Sequence, residues 1–388
     1  MGNSNDGVRG VIGRDGLDGL IVLLREAGYE TIGPRARDGA VTYEAVESAA
    51  DLPWGVAEVH AGGRYRLSED ASGAAFGHTV GPQSWKKYHF TPRQTLWTGE
   101  RTGKGFTIEP PAPEPKPYAF IGARACELAA VAIQDKVFGY APHQGRAVGQ
   151  QQFADSGYVR RRGAAFFVAV DCRRSADTCF CCSMGGGPAA ESGFDLRLSE
   201  LIGDGRHEYL VEAGSERGRA IFDRLGVRPA TAADRAAAET QTEAAAAMQT
   251  SAMPSGAAAL LADNLEHPQW AKVAERCLNC ANCTMVCPTC FCSTVEDVTD
   301  LTGDKVERAR RWDSCFTMDF SYIHGGGVRQ SGQSRYRQWM THKLSHWEEQ
   351  FGTSGCTGCG RCVTWCPVGI DIREETAAIA AAPKNKQA

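Results

Sequence analysis

Cysteine stands out in number and in spacing, with sixteen among 388 residues. Cys277-x2-Cys280-x2-Cys283-x3-Cys287-Pro288 recurs as Cys356-x2-Cys359-x2-Cys362-x3-Cys366-Pro367. Three thiolates at i, i+3 and i+6 of a tight loop wrap three corners of an iron–sulfur cubane, and the fourth corner needs a distant residue. In two-cluster ferredoxins the last cysteine of each run supplies that corner on the other cluster, because the chain leaves the loop at proline. The spacing predicts two 4Fe-4S clusters with crossed ligands. The first takes Cys277, Cys280, Cys283 and Cys366, and the second takes Cys356, Cys359, Cys362 and Cys287. Paired C-x2-C units also build four-cysteine zinc sites, but zinc needs no proline-terminated fourth cysteine.

Small residues at Asn279, Ala281, Asn282, Gly358 and Gly360 leave room for backbone N–H groups to approach the sulfurs. Cys290, Cys292 and Cys315 have no cluster motif of their own and read as packing thiols or as thiols touching a ligand, ahead of ligation. His324, His342 and His346 lie among aromatic residues and are assigned no role. A further group, Cys126 with Cys172, Cys179, Cys181 and Cys182, has no standard spacing. Cys126, Cys172, Cys179 and Cys181 offer enough thiolates for a third cluster; the alternative is structural thiols flanking a docking surface.

The elements around these residues are legible in outline. Residues 15–28 repeat apolar side chains at helical spacing and end at Gly28, a helix with a glycine stop. From Tyr29 to about Thr107, turn pairs such as Asp38-Gly39 separate short stretches of strand and hairpin character. A proline-rich connector, Pro110 to Pro117, leads to two apolar β runs, Tyr118–Gly122 and Ala164–Asp171, each followed by cysteine. A helix is expected over Glu127–Lys136, just after Cys126. Ligand sites in α/β sheets form at the carboxyl ends of strands, so these cysteine loops are expected to converge. Gly185-Gly186-Gly187-Pro188 lacks the spacing of a phosphate loop and reads as a turn.

Alanine dominates between about Arg228 and Gly256, which reads as a linker or loosely held helix. Ala257–Cys277 and Ser334–Trp347 look helical, which favours an α-helical ferredoxin module over the compact β-rich kind. The expected fold class is α+β: an N-terminal mixed α/β domain over residues 1–228, a linker over 229–256, and an α-helical ferredoxin-like domain with two clusters over 257–388.

Composition narrows the function. Charged residues are 23% and hydrophobic ones 43%, ordinary for a soluble globular protein. A net charge of −4 gives no cationic field, so nucleic acid is not an expected partner. No run of apolar residues is long enough to span a bilayer, and the first ten residues lack an apolar signal core, so a cytoplasmic protein is expected. Cysteine in that setting reads as metal or redox chemistry. No nicotinamide or flavin fingerprint and no catalytic acid–base pair appear in recognisable context, so no catalytic residue is expected.

The chain resembles the β subunits of soluble group 3b NiFe-hydrogenases, also called sulfhydrogenases. The likeness rests on Val80-Gly81-Pro82-Gln83-Ser84-Trp85-Lys86-Lys87, Phe120-Ile121-Gly122 before Cys126, Thr178-Cys179-Phe180-Cys181, Cys287-Pro288-Thr289-Cys290-Phe291-Cys292 and Val295–Gly303. Cys182, where relatives carry a hydroxyl or small residue, and Ala125, where proline is common, depart from it. The resemblance implies a non-catalytic electron-transfer subunit in a hetero-oligomer. Its partners would be hydrogenase large and small subunits and a flavin- and NAD(P)-binding subunit. Anaerobic sulfite reductase A subunits are similar in architecture, which leaves electron transfer to sulfite or sulfur reduction as the second reading. A cluster-bearing scaffold or redox sensor is the third.

Overall fold

The computed structural model describes residues 8–111, 116–141, 153–203 and 205–381. The first seven residues and the middle of the proline-rich connector, 112–115, lie outside them.

In chain order the strands are Arg9–Gly13 (β1), Glu30–Arg37 (β2), Ala40–Ala45 (β3), Val56–Ala61 (β4) and Arg64–Glu69 (β5). Arg93–Thr102 (β6), Gly105–Glu109 (β7), Tyr118–Ala123 (β8), Phe166–Val170 (β9) and Leu196–Gly203 (β10) follow. Arg206–Ala213 (β11), Arg228–Pro229 (β12), Ser293–Thr299 (β13) and Lys305–Trp312 (β14) complete the elements that matter for the site. Eight of them form one mixed sheet in the order β12-β1-β11-β10-β9-β8-β2-β3. The centre is parallel, β10 on β9 on β8 on β2, and the edges are antiparallel.

Every residue of β9 is buried, as a strand covered on both faces requires. One cover is the helix Gly16–Glu26, whose Leu17, Leu20, Ile21 and Leu24 recur at i, i+3, i+4 and i+7 and are fully buried. The opposite face packs on Leu128 and Val131 of the helix Ala125–Val137. Three hairpins form between residues 30 and 109, as the turn residues predict. Asp38 and Gly39 both take positive φ, the backbone a two-residue hairpin turn demands.

Three elements differ from the sequence expectation. The alanine-rich stretch is neither linker nor loosely held: β12 joins the sheet, and a helix spans Ala232–Ala247 with Ala238 and Ala245 buried. Its Thr231 and Asp234 form a reciprocal cap, and alanine, the strongest helix former, packs close without side-chain entropy to lose. The segment between the two cysteine runs is helical only in its second half. Its first half is the hairpin β13–β14, which is added to strand β6 through β14. Helix Ala125–Val137 starts before Cys126, not after it, so that cysteine sits in the first helical turn.

The sheet β13-β14-β6-β7 joins residues from both ends of the chain. A second link lies deeper. The Arg361 guanidinium, inside the second cysteine run and fully buried, donates to the Gly81 and Gln83 carbonyls at 2.9 Å each and to the Glu127 carboxylate at 2.5 Å. Glu127 also accepts from the Tyr43 hydroxyl, the Trp85 indole and the Arg124 amide.

Removing one member of such a pair strands a buried charge. Arg361→Met is expected to lose about 3–5 kcal/mol of stability, read as a lower denaturant midpoint of the metal-loaded protein, and Glu127→Leu added to it recovers part of the loss.

Candidate metal centres

The two cysteine runs fold into matching loops. Asn279 and Ala281 take φ of 52° and 65°, and Gly358 and Gly360 at the equivalent positions take 67° and 75°. In each loop the residue two after the first cysteine donates its N–H to that cysteine's sulfur, Asn279 to Cys277 and Gly358 to Cys356, both at 3.4 Å. A one-turn helix follows, Asn282–Met285 or Arg361–Thr364, before the fourth cysteine and its proline. The Asn282 amide donates to the Trp365 carbonyl at 2.5 Å and ties the loops together.

Each loop borders a cavity, and the fourth cysteines cross. One cavity is lined by Cys277, Cys280 and Cys283 with Cys366 from the other run. The other is lined by Cys356, Cys359 and Cys362 with Cys287 from the first run. Cys362 borders both cavities. Among the described residues no three Cys, His, Asp or Glu side chains gather tightly enough to hold a single metal ion.

The surroundings fit a body with sulfur acceptors in these spaces. The Tyr336 hydroxyl and Trp339 indole border the first cavity, and the Thr357 hydroxyl borders the second; all three are buried without a hydrogen-bond partner. Unpartnered buried donors are costly unless something accepts from them. Apolar Phe316, Ile370 and Ile372 complete the first cavity. Burial pushes the Cys283 and Cys362 thiols well up and Cys356 up to about 12. Cys287 goes the other way: a hydrogen bond from the Cys290 thiol, helped by Lys343, holds it well below the usual range.

The third cysteine group gathers at the carboxyl ends of parallel β8 and β9. Arg124 fastens this edge, donating to the carbonyls of Asp171, Phe76 and His78. The Asp171 carboxylate accepts from the Ser199 hydroxyl and Arg197, which fixes the residue before Cys172. Cys126, Cys179 and Cys181 lie within electrostatic reach of one another or of Cys172, and both Cys126 and Cys179 also feel Cys359 of the second run. Burial raises all of these thiols, Cys181 to about 12. Gln249 donates to the Cys181 sulfur at 3.2 Å, while Cys182 is exposed beside it.

The Thr178–Cys181 segment lies directly on the second ferredoxin loop. The Phe180 N–H donates to the Gly358 carbonyl at 2.9 Å, and a Cβ on Gly358 would stand 2.6 Å from the Cys181 backbone. Gly360 faces the Thr178 carbonyl as closely. Here glycine is required for close approach as well as for its positive φ.

Cys290, Cys292 and Cys315 stay outside the two cavities. A hydrogen bond from the Cys315 thiol lowers Cys292 to about 7 and burial opposes it, and Cys290 bonds to Cys287. His342 stacks edge-on with Trp347, and burial lowers it to about 4, in keeping with a packing role.

Sequence reasoning passed over Lys86, Lys343, Glu127 and Arg361. Three had a signal: Lys86 lies in the Val80–Lys87 motif, Glu127 adjoins Cys126, and Arg361 sits between two ligand positions. Lys343 had none.

Residues 276–370 match the model of a 4Fe-4S dicluster domain. Over 263 residues the chain is 34% identical to sulfhydrogenase 2 subunit beta of Pyrococcus furiosus, which covers 66% of this chain and 71% of that one. No solved structure matches the chain. No helix among the described residues is long and apolar enough to cross a membrane.

Gly358→Ala is expected to lower the melting temperature more than Gly226→Ala. Both positions have positive φ, costing about 1–2 kcal/mol, but a Cβ at Gly226 meets nothing within 4 Å. Equal shifts would dissociate the Thr178–Cys181 contact from stability. Cys292→Ser and Cys315→Ser are expected to retain wild-type iron in a colorimetric assay, since neither thiol borders a cavity.

Proposed function

Because the chain belongs to the sulfhydrogenase β-subunit family, we propose that it relays single electrons between a hydrogen-oxidising NiFe module and a flavin- and NAD(P)-linked subunit of one complex. The observation that carries the reading is the crossing: each three-cysteine loop shares its cavity with the last cysteine of the other run. The ligand sets are Cys277, Cys280, Cys283 and Cys366, and Cys356, Cys359, Cys362 and Cys287. A 4Fe-4S cubane on each set supplies a one-electron couple.

The chain's own residues hold and insulate. Asn279 and Gly358 give N–H bonds to ligand sulfur, and such bonds stabilise added negative charge. Phe316, Ile370 and Ile372 give the first site an apolar wall. Cys126, Cys172, Cys179 and Cys181 are proposed to hold a third cubane. Its support is that two of these thiols feel Cys359, so a group bound there adjoins the second site and extends the relay into the sheet.

Anaerobic purification of the native complex tests the assignment. About twelve irons per chain, the content of three cubanes, are expected; about eight would remove the third site alone. A nickel-bearing subunit should co-purify and, with hydrogen, reduce the clusters. Co-purification of a sirohaem protein would transfer the relay to sulfite reduction, and clusters that hydrogen never reduces while the complex turns over would leave a scaffold.

A further inference from the structure

A lysine is buried beside the crossed ligand of the second site. Lys343 is only 4% exposed, and its ammonium donates to the Cys287 sulfur at 3.4 Å, the Thr289 hydroxyl at 2.9 Å and the Gly355 carbonyl at 3.2 Å. Among the described residues no carboxylate pairs with it, and the charges that act on it are the thiols of Cys287, Cys290 and Cys356. A buried ammonium is costly without an anion, and the only anions within reach are cysteine sulfurs.

Local backbone geometry delivers it there. Residues His342–His346 form a π-helical turn within an otherwise α-helical run, and Lys343, Leu344 and Ser345 are all buried in succession. The Lys343 carbonyl also accepts from the Gly355 N–H at 2.8 Å, next to Cys356. One residue thus touches the crossed ligand and the start of the loop it crosses to.

Among the described residues no other cation hydrogen-bonds a ligand sulfur. Arg361 pairs with Glu127 and its charge reaches Cys359 without a hydrogen bond to it, and Lys86 donates to the carbonyls of Thr284, Met285 and Cys290. Arg335, near Cys277, gives its Nη1 to the Arg329 and Gln330 carbonyls, while its Nε is buried without a partner. The first cavity receives the neutral donors Tyr336 and Trp339; the second receives a full charge. A cation hydrogen-bonded to a ligand sulfur favours the reduced, more negative state of the cluster.

We propose that Lys343 is the residue that sets the potential of the second site above that of the first, through a charged hydrogen bond to Cys287. The inference rests on the relay reading, in which Cys287 ligates a cubane. Lys343 acts through a ligand and is a positioning residue.

EPR-monitored redox titration of the full chain in its complex tests this. In Lys343→Met and Lys343→Gln one cluster signal is expected to move to lower potential, with the other signals and the iron content unchanged. Lys343→Arg, which keeps the charge, should restore most of the shift. Unmoved potentials in a variant with full iron overturn the proposal and leave the relay intact. Should both neutral variants lose iron, wild-type protein labelled with 15N-lysine decides: the hyperfine coupling of one lysine nitrogen to a reduced cluster supports the proposal, and no coupling overturns it. Wild-type protein without two reducible clusters would sink the relay reading itself.

Discussion

The contact on which the arrangement depends is the buried pair between Glu127 and Arg361. Glu127 follows Cys126 at the start of the helix that covers the sheet, and Arg361 lies between Cys359 and Cys362. Neither partner reaches solvent, so the carboxylate and guanidinium are tolerable only together, each with further hydrogen bonds around it. Such a pair adds little net free energy compared with apolar packing, but it admits one docking geometry. That geometry sets the third cysteine group against the second loop, where Gly358 and Gly360 let two backbones approach.

Once the loops are docked, their internal repeat governs the rest. Both use left-handed residues at the same two positions and the same N–H to sulfur bond, although one uses Asn and Ala where the other uses Gly. On the second loop the Thr178–Cys181 backbone lies so close to Gly358 and Gly360 that no Cβ fits there. The duplicated loops are therefore alike in shape and unlike in surroundings. The first is walled by aromatic and aliphatic side chains with neutral donors, and the second is held by a lysine and joined to the sheet.

The two cysteine runs were legible because cubane ligation imposes a spacing that appears in the chain as a repeat. Helix Gly16–Glu26, the hairpins and strands β8 and β9 were legible because burial on one face or two leaves a period in the sequence. The alanine-rich helix was not, since alanine is compatible with packed helix and open linker alike and only the capping pair Thr231 and Asp234 tipped the balance. The β13–β14 hairpin was missed because its partner, β6, lies more than two hundred residues before β14. Lys343 was invisible because its place beside Cys287 is a tertiary contact between residues 56 positions apart, and no residue type marks such a contact.

The central claim is that the two runs exchange their fourth cysteines and that the sheet's cysteine group adjoins the second of them. Anomalous diffraction at the iron edge from anaerobic crystals tests it most directly. The account predicts iron density ringed by Cys277, Cys280, Cys283 and Cys366, a second body ringed by Cys356, Cys359, Cys362 and Cys287, and a third among Cys126, Cys172, Cys179 and Cys181. Iron bound by Cys287 together with Cys277, Cys280 and Cys283 would contradict it.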